Sequence, residues 1–167
     1  MMKGKKLSPI VVIGGSGLLA IIILFGILIA AFIPSESIKN INIKDENIIQ
    51  TFEKEFYVEL VEGSSILNMG MTKLSGFSPD GPSISYYSKI VIPESKLDEF
   101  KINNNSRISQ YPIDEETFEF FMQVKKKFSW WDFKFEEVEF YSRVGQTSTE
   151  IIYCKPQNGN VTIFIRS

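Results

Sequence analysis

The sequence predicts an α+β fold: an antiparallel sheet packed on one face by two or three helices, preceded by a single transmembrane helix. Three observations carry this. The stretch Ile10 to Ile33 is 24 residues long and holds no charged side chain. After it, apolar residues recur at helical spacing in three places, each opened by an acidic residue or a proline. The remaining apolar stretches are rich in β-branched and aromatic residues, alternate at period two, and close on an Asn-Gly hairpin signal.

The apolar run reads as a membrane span. A bilayer core of about 30 Å takes about 20 apolar residues at 1.5 Å each. Pro9 precedes the run and Pro34 ends it, since proline disfavours a helical residue before it. A cleavable signal peptide has a shorter apolar region and a small-x-small cleavage site. Here Ile29-Ala30-Ala31-Phe32 lacks that site, and the single cysteine, Cys154, lies too far on to carry a lipid. Gly15-Ser16-Gly17-Leu18-Leu19-Ala20 matches a dinucleotide fingerprint in letters only. The strand–turn–helix context that motif needs is missing from an unbroken apolar run. Lys3, Lys5 and Lys6 precede the run closely, so the positive-inside rule puts residues 1–9 in the cytoplasm and the C-terminal part outside it. The pair Gly26 and Ala30 has the small-xxx-small spacing that lets two helices approach, and marks a candidate helix contact. The expected division is a basic tail (1–9), a transmembrane helix (10–33), a juxtamembrane linker (34–44) and a soluble domain (45–167).

Beyond the run, the elements are read in order. Asp45 caps a helix over 46–56, with Ile48, Ile49, Phe52 and Phe56 on its apolar side. Residues 65–74 fit a strand or an irregular loop, because Gly70 interrupts them. Pro79-Asp80-Gly81-Pro82 is turn chemistry. Ile84 to Ile92 is a strand, ended by Pro93. Glu94 opens a short helix with Leu97 and Phe100 inward. Asp114 caps the next helix, with Glu115 and Glu116 in its first turn and Lys125, Lys126 and Lys127 in its last. An aromatic stretch from Phe128 leads into a strand over about 137–143. Strands over 148–154 and 160–166 flank Lys155-Pro156-Gln157-Asn158-Gly159, a connection longer than two residues that carries the Asn158-Gly159 hairpin signal, and in the last strand Val161, Ile163 and Ile165 share one face.

Composition removes several function classes. Residues 34–167 carry 15 basic and 20 acidic side chains, a net charge of −5, which argues against nucleic acid as a partner. There is no histidine, so the commonest general base and metal ligand are missing. One cysteine allows no internal disulfide. No catalytic residue, metal ligand or cofactor is assigned.

Two groups remain as candidates. Trp130 and Trp131 are adjacent in extended chain and point opposite ways. One is expected in the core and the other at a rim, where it could serve as an aromatic binding platform. Glu136, Glu137 and Glu139, with Asp132 nearby, are the densest acidic group, and paired carboxylates of this kind can hydrolyse a glycosidic bond.

Tyr86-Tyr87-Ser88-Lys89-Ile90-Val91-Ile92-Pro93 with Lys96-Leu97-Asp98-Glu99-Phe100 forms a strand-Pro-helix unit. Trp130-Trp131 and the terminal hairpin from Ile151-Ile152-Tyr153 to Val161-Thr162-Ile163 follow it. Over residues 84–166 this resembles small membrane-anchored proteins and lipoproteins of bacteria, although the lipoproteins' anchor cysteine is absent. The resemblance implies the architecture and no site.

The functional expectation is a membrane-tethered extracytoplasmic module, integral and single-pass, that binds a protein or cell-envelope partner without catalysing a reaction. The alternatives are an envelope hydrolase using Glu136 or Glu139, and an accessory subunit of a larger membrane complex.

Overall fold

The computed structural model describes residues 22–26, 34–75, 81–104, 112–144 and 148–167. They form an α+β structure with the element order β1 (Ser35–Asn40), α1 (Ile48–Phe56), β2 (Ser65–Ser75), β3 (Ser83–Pro93), α2 (Leu97–Asn103), α3 (Glu115–Met122), β4 (Val138–Arg143), β5 (Glu150–Cys154) and β6 (Asn160–Arg166). Three-residue and four-residue 3₁₀ turns precede α2, follow α3 and precede β4. The six strands make one antiparallel sheet in the order β1-β2-β3-β6-β5-β4. The last strand therefore inserts beside β3, with Ile90 opposite Ile163 and Lys89 opposite Phe164.

The chain divides into two compact units, residues 1–36 with 74–83, and residues 37–73 with 84–167. In the first, residues 22–26 are helical and exposed. The second holds α1, α2, α3 and most of the sheet.

Within the second unit both faces of the sheet are apolar, and each is covered. On one face Ile90, Ile92, Ile151, Tyr153, Val161, Ile163 and Ile165 meet Phe52 and Phe56 of α1 and Phe100 of α2. On the other, Tyr87, Ile152, Cys154 and Phe164 meet Phe121 of α3 with Val124, Phe128, Trp131 and Phe133. This corrects the expectation of helices on one face only. The alternate residues of β3, β5 and β6 are too apolar to face water, so the chain after α2 crosses to cover them.

The expected transmembrane helix is also corrected. Among the described residues no helix is long and apolar enough to cross a membrane. Residues 22–26 are the described part of the Ile10–Ile33 run. The described residues thus do not bear out a transmembrane, single-pass or signal-anchor protein. The remainder of the run, including Ala30, lies outside the described residues.

Several local expectations are met by identifiable chemistry. The Asp114 carboxylate accepts a hydrogen bond from the Thr117 N–H at 2.7 Å, capping α3. Its carboxyl is held below the usual range by that bond. At the hairpin, Asn158 and Gly159 take positive φ (53° and 75°), and Gln157 and Asn160 exchange both backbone hydrogen bonds. The turn itself is thus two residues long, the Asn-Gly form whose twist matches that of the strands. Other details differ. Asp45 accepts from the Asn47 N–H, and α1 begins only at Ile48. The α-helix begun at Glu115 stops at Met122, so Lys125 and Lys126 fall in the 3₁₀ turn that continues it. Residues 35–40, within the stretch read as a linker, form β1, every residue of which is exposed.

Candidate functional site

The second sheet face, under α3 and the loop after it, carries the candidate residues. Trp131 is fully buried. Its ring stands edge-on to Tyr87 at 5.7 Å and to Phe164 at 5.3 Å, and it leans on Phe133 at 5.9 Å. Its Nε1 has no hydrogen-bond partner among the described residues. Trp130 is half-buried; it overlies Phe128 at 5.1 Å and donates its Nε1–H to Asn40 Oδ1 at 3.3 Å. The two rings touch, with centroids 6.1 Å apart, and pack on the same cluster; Trp131 has no surface to offer a ligand. Trp130 presents a partly exposed ring already tied to β1.

Gly26 is exposed, with nothing within 4 Å of the position a Cβ would take. Its expected companion Ala30 lies outside the described residues, so the helix contact they were to form is not visible.

The acidic group is divided by lysines. Asp132 Oδ1 accepts from Lys89 Nζ at 2.7 Å. Glu137 lies 3.3 Å from Lys134 Nζ and also accepts from the Lys134 N–H. Glu136 and Glu139 are exposed, and it is the main-chain carbonyl of Glu136 that accepts from Lys155 Nζ, at 2.7 Å. Among the described residues no group of three or more carboxylate, thiol or imidazole side chains is placed to hold a metal ion.

Lys89, Lys134, Lys155, Asp132 and Glu137, without Glu136 and Glu139, surround a cleft of about 300 Å³. Its wall is the loop from Asp132 to Glu137, and its floor is the sheet: Lys89 from β3, Thr162 and Phe164 from β6, Cys154 from β5. Lys155 and Gln157, from the hairpin, complete the rim. The strand pairing explains why these side chains meet. Lys89 and Phe164 are direct partners across β3 and β6, and the Lys89 ammonium sits 5.2 Å over the Phe164 ring. The Lys155 N–H donates to the Glu137 carbonyl at 2.7 Å, which fixes the rim to the wall. Cys154 is 5% exposed. Burial first, and then the charge of Glu137, push its thiol up to about 12. It stays protonated at neutral pH and is no nucleophile.

Three lysines and two carboxylates give the cleft a surplus positive charge on a domain whose net charge is −5. The arrangement can bind and orient a small charged molecule. Sequence reasoning missed Lys89, Lys155 and Thr162. The available signal was a lysine in the middle of the apolar strand Tyr86 to Ile92. It becomes informative only once the register sets Lys89 beside Phe164.

In comparisons with known proteins, no family model, no curated protein and no solved structure matches this chain.

Proposed function

We propose that the protein is a non-enzymatic binding module whose ligand site is the cleft between the 132–137 loop and strands β3, β6 and β5. The observation that carries this reading is the charge arrangement of the cleft. Asp132 and Glu137, its two carboxylates, each have a lysine partner, which suits recognition of a polar ligand better than proton transfer. The lack of histidine supports the same reading.

Apolar residues 10–33 support attachment of the module to a membrane; a crossing helix is no part of the proposal. On this reading the full chain pellets with membranes after carbonate washing, and a chain lacking residues 10–33 does not. Recovery of the full chain in the supernatant would count against attachment.

The binding reading is tested by screening the full chain against a panel of small polar compounds, with melting temperature and mass-spectrometric product detection read in parallel. We expect compounds that raise the melting temperature and are recovered unchanged. Conversion of a stabilising compound, abolished by Glu136→Gln or Glu139→Gln, would replace this reading with the hydrolase one.

A further inference from the structure

We infer that the cleft selects a small monocarboxylate, with the Lys155 ammonium as its anchor. This rests on the binding reading and deepens it by naming the ligand class.

The three cleft lysines are not equivalent. Lys89 is held by Asp132 at 2.7 Å and lies over the Phe164 ring. Lys134 is held by Glu137 at 3.3 Å. Lys155 donates to a main-chain carbonyl, that of Glu136, and no carboxylate pairs with it among the described residues. A lysine ammonium has three donors. One of them holds Lys155 against the wall, and the others remain for an acceptor.

The charge count sets the ligand's valence. Three ammonium groups against two carboxylates leave one positive charge, which one carboxylate neutralises. A more highly charged anion would face Asp132 and Glu137 across the same cleft and be repelled by them. The volume, about 300 Å³, is at the small end of ligand pockets. Thr162, Gln157 and Phe164 supply the surroundings for the rest of the molecule.

The test is an NMR titration of the full chain, held in neutral detergent, with sodium propionate, with propionamide as its uncharged isostere, and with inorganic phosphate. Propionate is expected to shift the amides of Cys154, Lys155 and Thr162 saturably; propionamide is expected to bind at least about tenfold more weakly, since a charge-assisted hydrogen bond is worth about that factor, and phosphate to bind more weakly because Asp132 and Glu137 repel its higher charge. Lys155→Gln is expected to weaken propionate at least about tenfold, while Lys155→Arg keeps binding and Lys125→Gln, outside the cleft, leaves it unchanged. An intact amide spectrum of each variant separates lost binding from lost folding. Equal binding of propionate and propionamide, or of phosphate, overturns the ligand class and leaves the binding reading standing. Unchanged affinity in Lys155→Gln overturns the anchor. If none of the three probes moves a cleft amide, the carboxylate proposal fails. If the wider compound panel then also leaves the cleft unmoved, the binding reading fails with it.

Discussion

Gly70 lies in β2 beside the Phe128 ring; a Cβ added there would run into that ring. Gly70→Ala is expected to destabilise by about 1–3 kcal/mol, the usual cost of overpacking, read as a lower denaturant midpoint. Tyr57 ends α1 in the left-handed region at φ 55° and is 69% exposed. A non-glycine residue there costs about 1–2 kcal/mol, and glycine returns part of the gain as chain entropy. Tyr57→Gly should therefore raise stability by about 0.5–1 kcal/mol, with an unchanged denaturant slope. The Cys154 thiol, pushed up to about 12 in the fold, ionises near 8.5 in the unfolded chain. Its contribution is fully present below pH ~8.5 and is lost as pH rises from there towards 12. Tyr86, raised by burial and then by Glu55, loses its contribution in the same direction above pH ~10. Cys154→Ala should flatten the alkaline fall in melting temperature beginning near pH ~8.5. None of these sites is visible in the sequence beyond its residue type. Gly70 reads there as an interruption of a strand, although its actual reason is the close approach of Phe128.

At the scale of the element, local chemistry was legible wherever it is self-contained. The Asp114 cap and the Asn158-Gly159 turn depend on neighbours within three residues, and both have the expected form. Gly159→Ala is expected to cost about 1 kcal/mol, because the turn holds position 159 at positive φ. The Asp114 carboxylate, held low by its bond to Thr117, contributes stability above its unfolded value of about 3.9, lost as pH falls through its lower folded value. Asp114→Asn should remove that acid-limb dependence while keeping a cap acceptor, as a melting-temperature profile between pH 2 and 5 would show. Strand β1 was not legible. All six of its residues are exposed, so no alternation marks it, and it is defined by its place beside β2 at the sheet edge.

In the larger of the two units, the sheet is covered on both faces, and the second cover is built from the aromatic stretch 118–133. The sequence showed the density of aromatics, but the helix that ends at Met122 and the loop after it gave no sign of which face they take. That choice follows from the apolar residues left on the far side of β3, β5 and β6, which only the strand order reveals. Trp131 is the centre of this cover, so Trp131→Ala is expected to cost about 3–5 kcal/mol. Trp130→Ala, half-buried at the margin, should cost clearly less. The candidate site was illegible for the same reason: its residues come from three strands, a loop and a hairpin, and no spacing along the chain connects Lys89 with Lys155. The most direct test of the cleft as the ligand site is amide chemical-shift mapping of the labelled full chain with a compound that stabilises it. The largest shifts are expected at Lys89, Cys154, Lys155 and Thr162. Largest shifts at Trp130 and Asn40, with the cleft amides unmoved, would contradict the cleft reading and return the site to the aromatic rim.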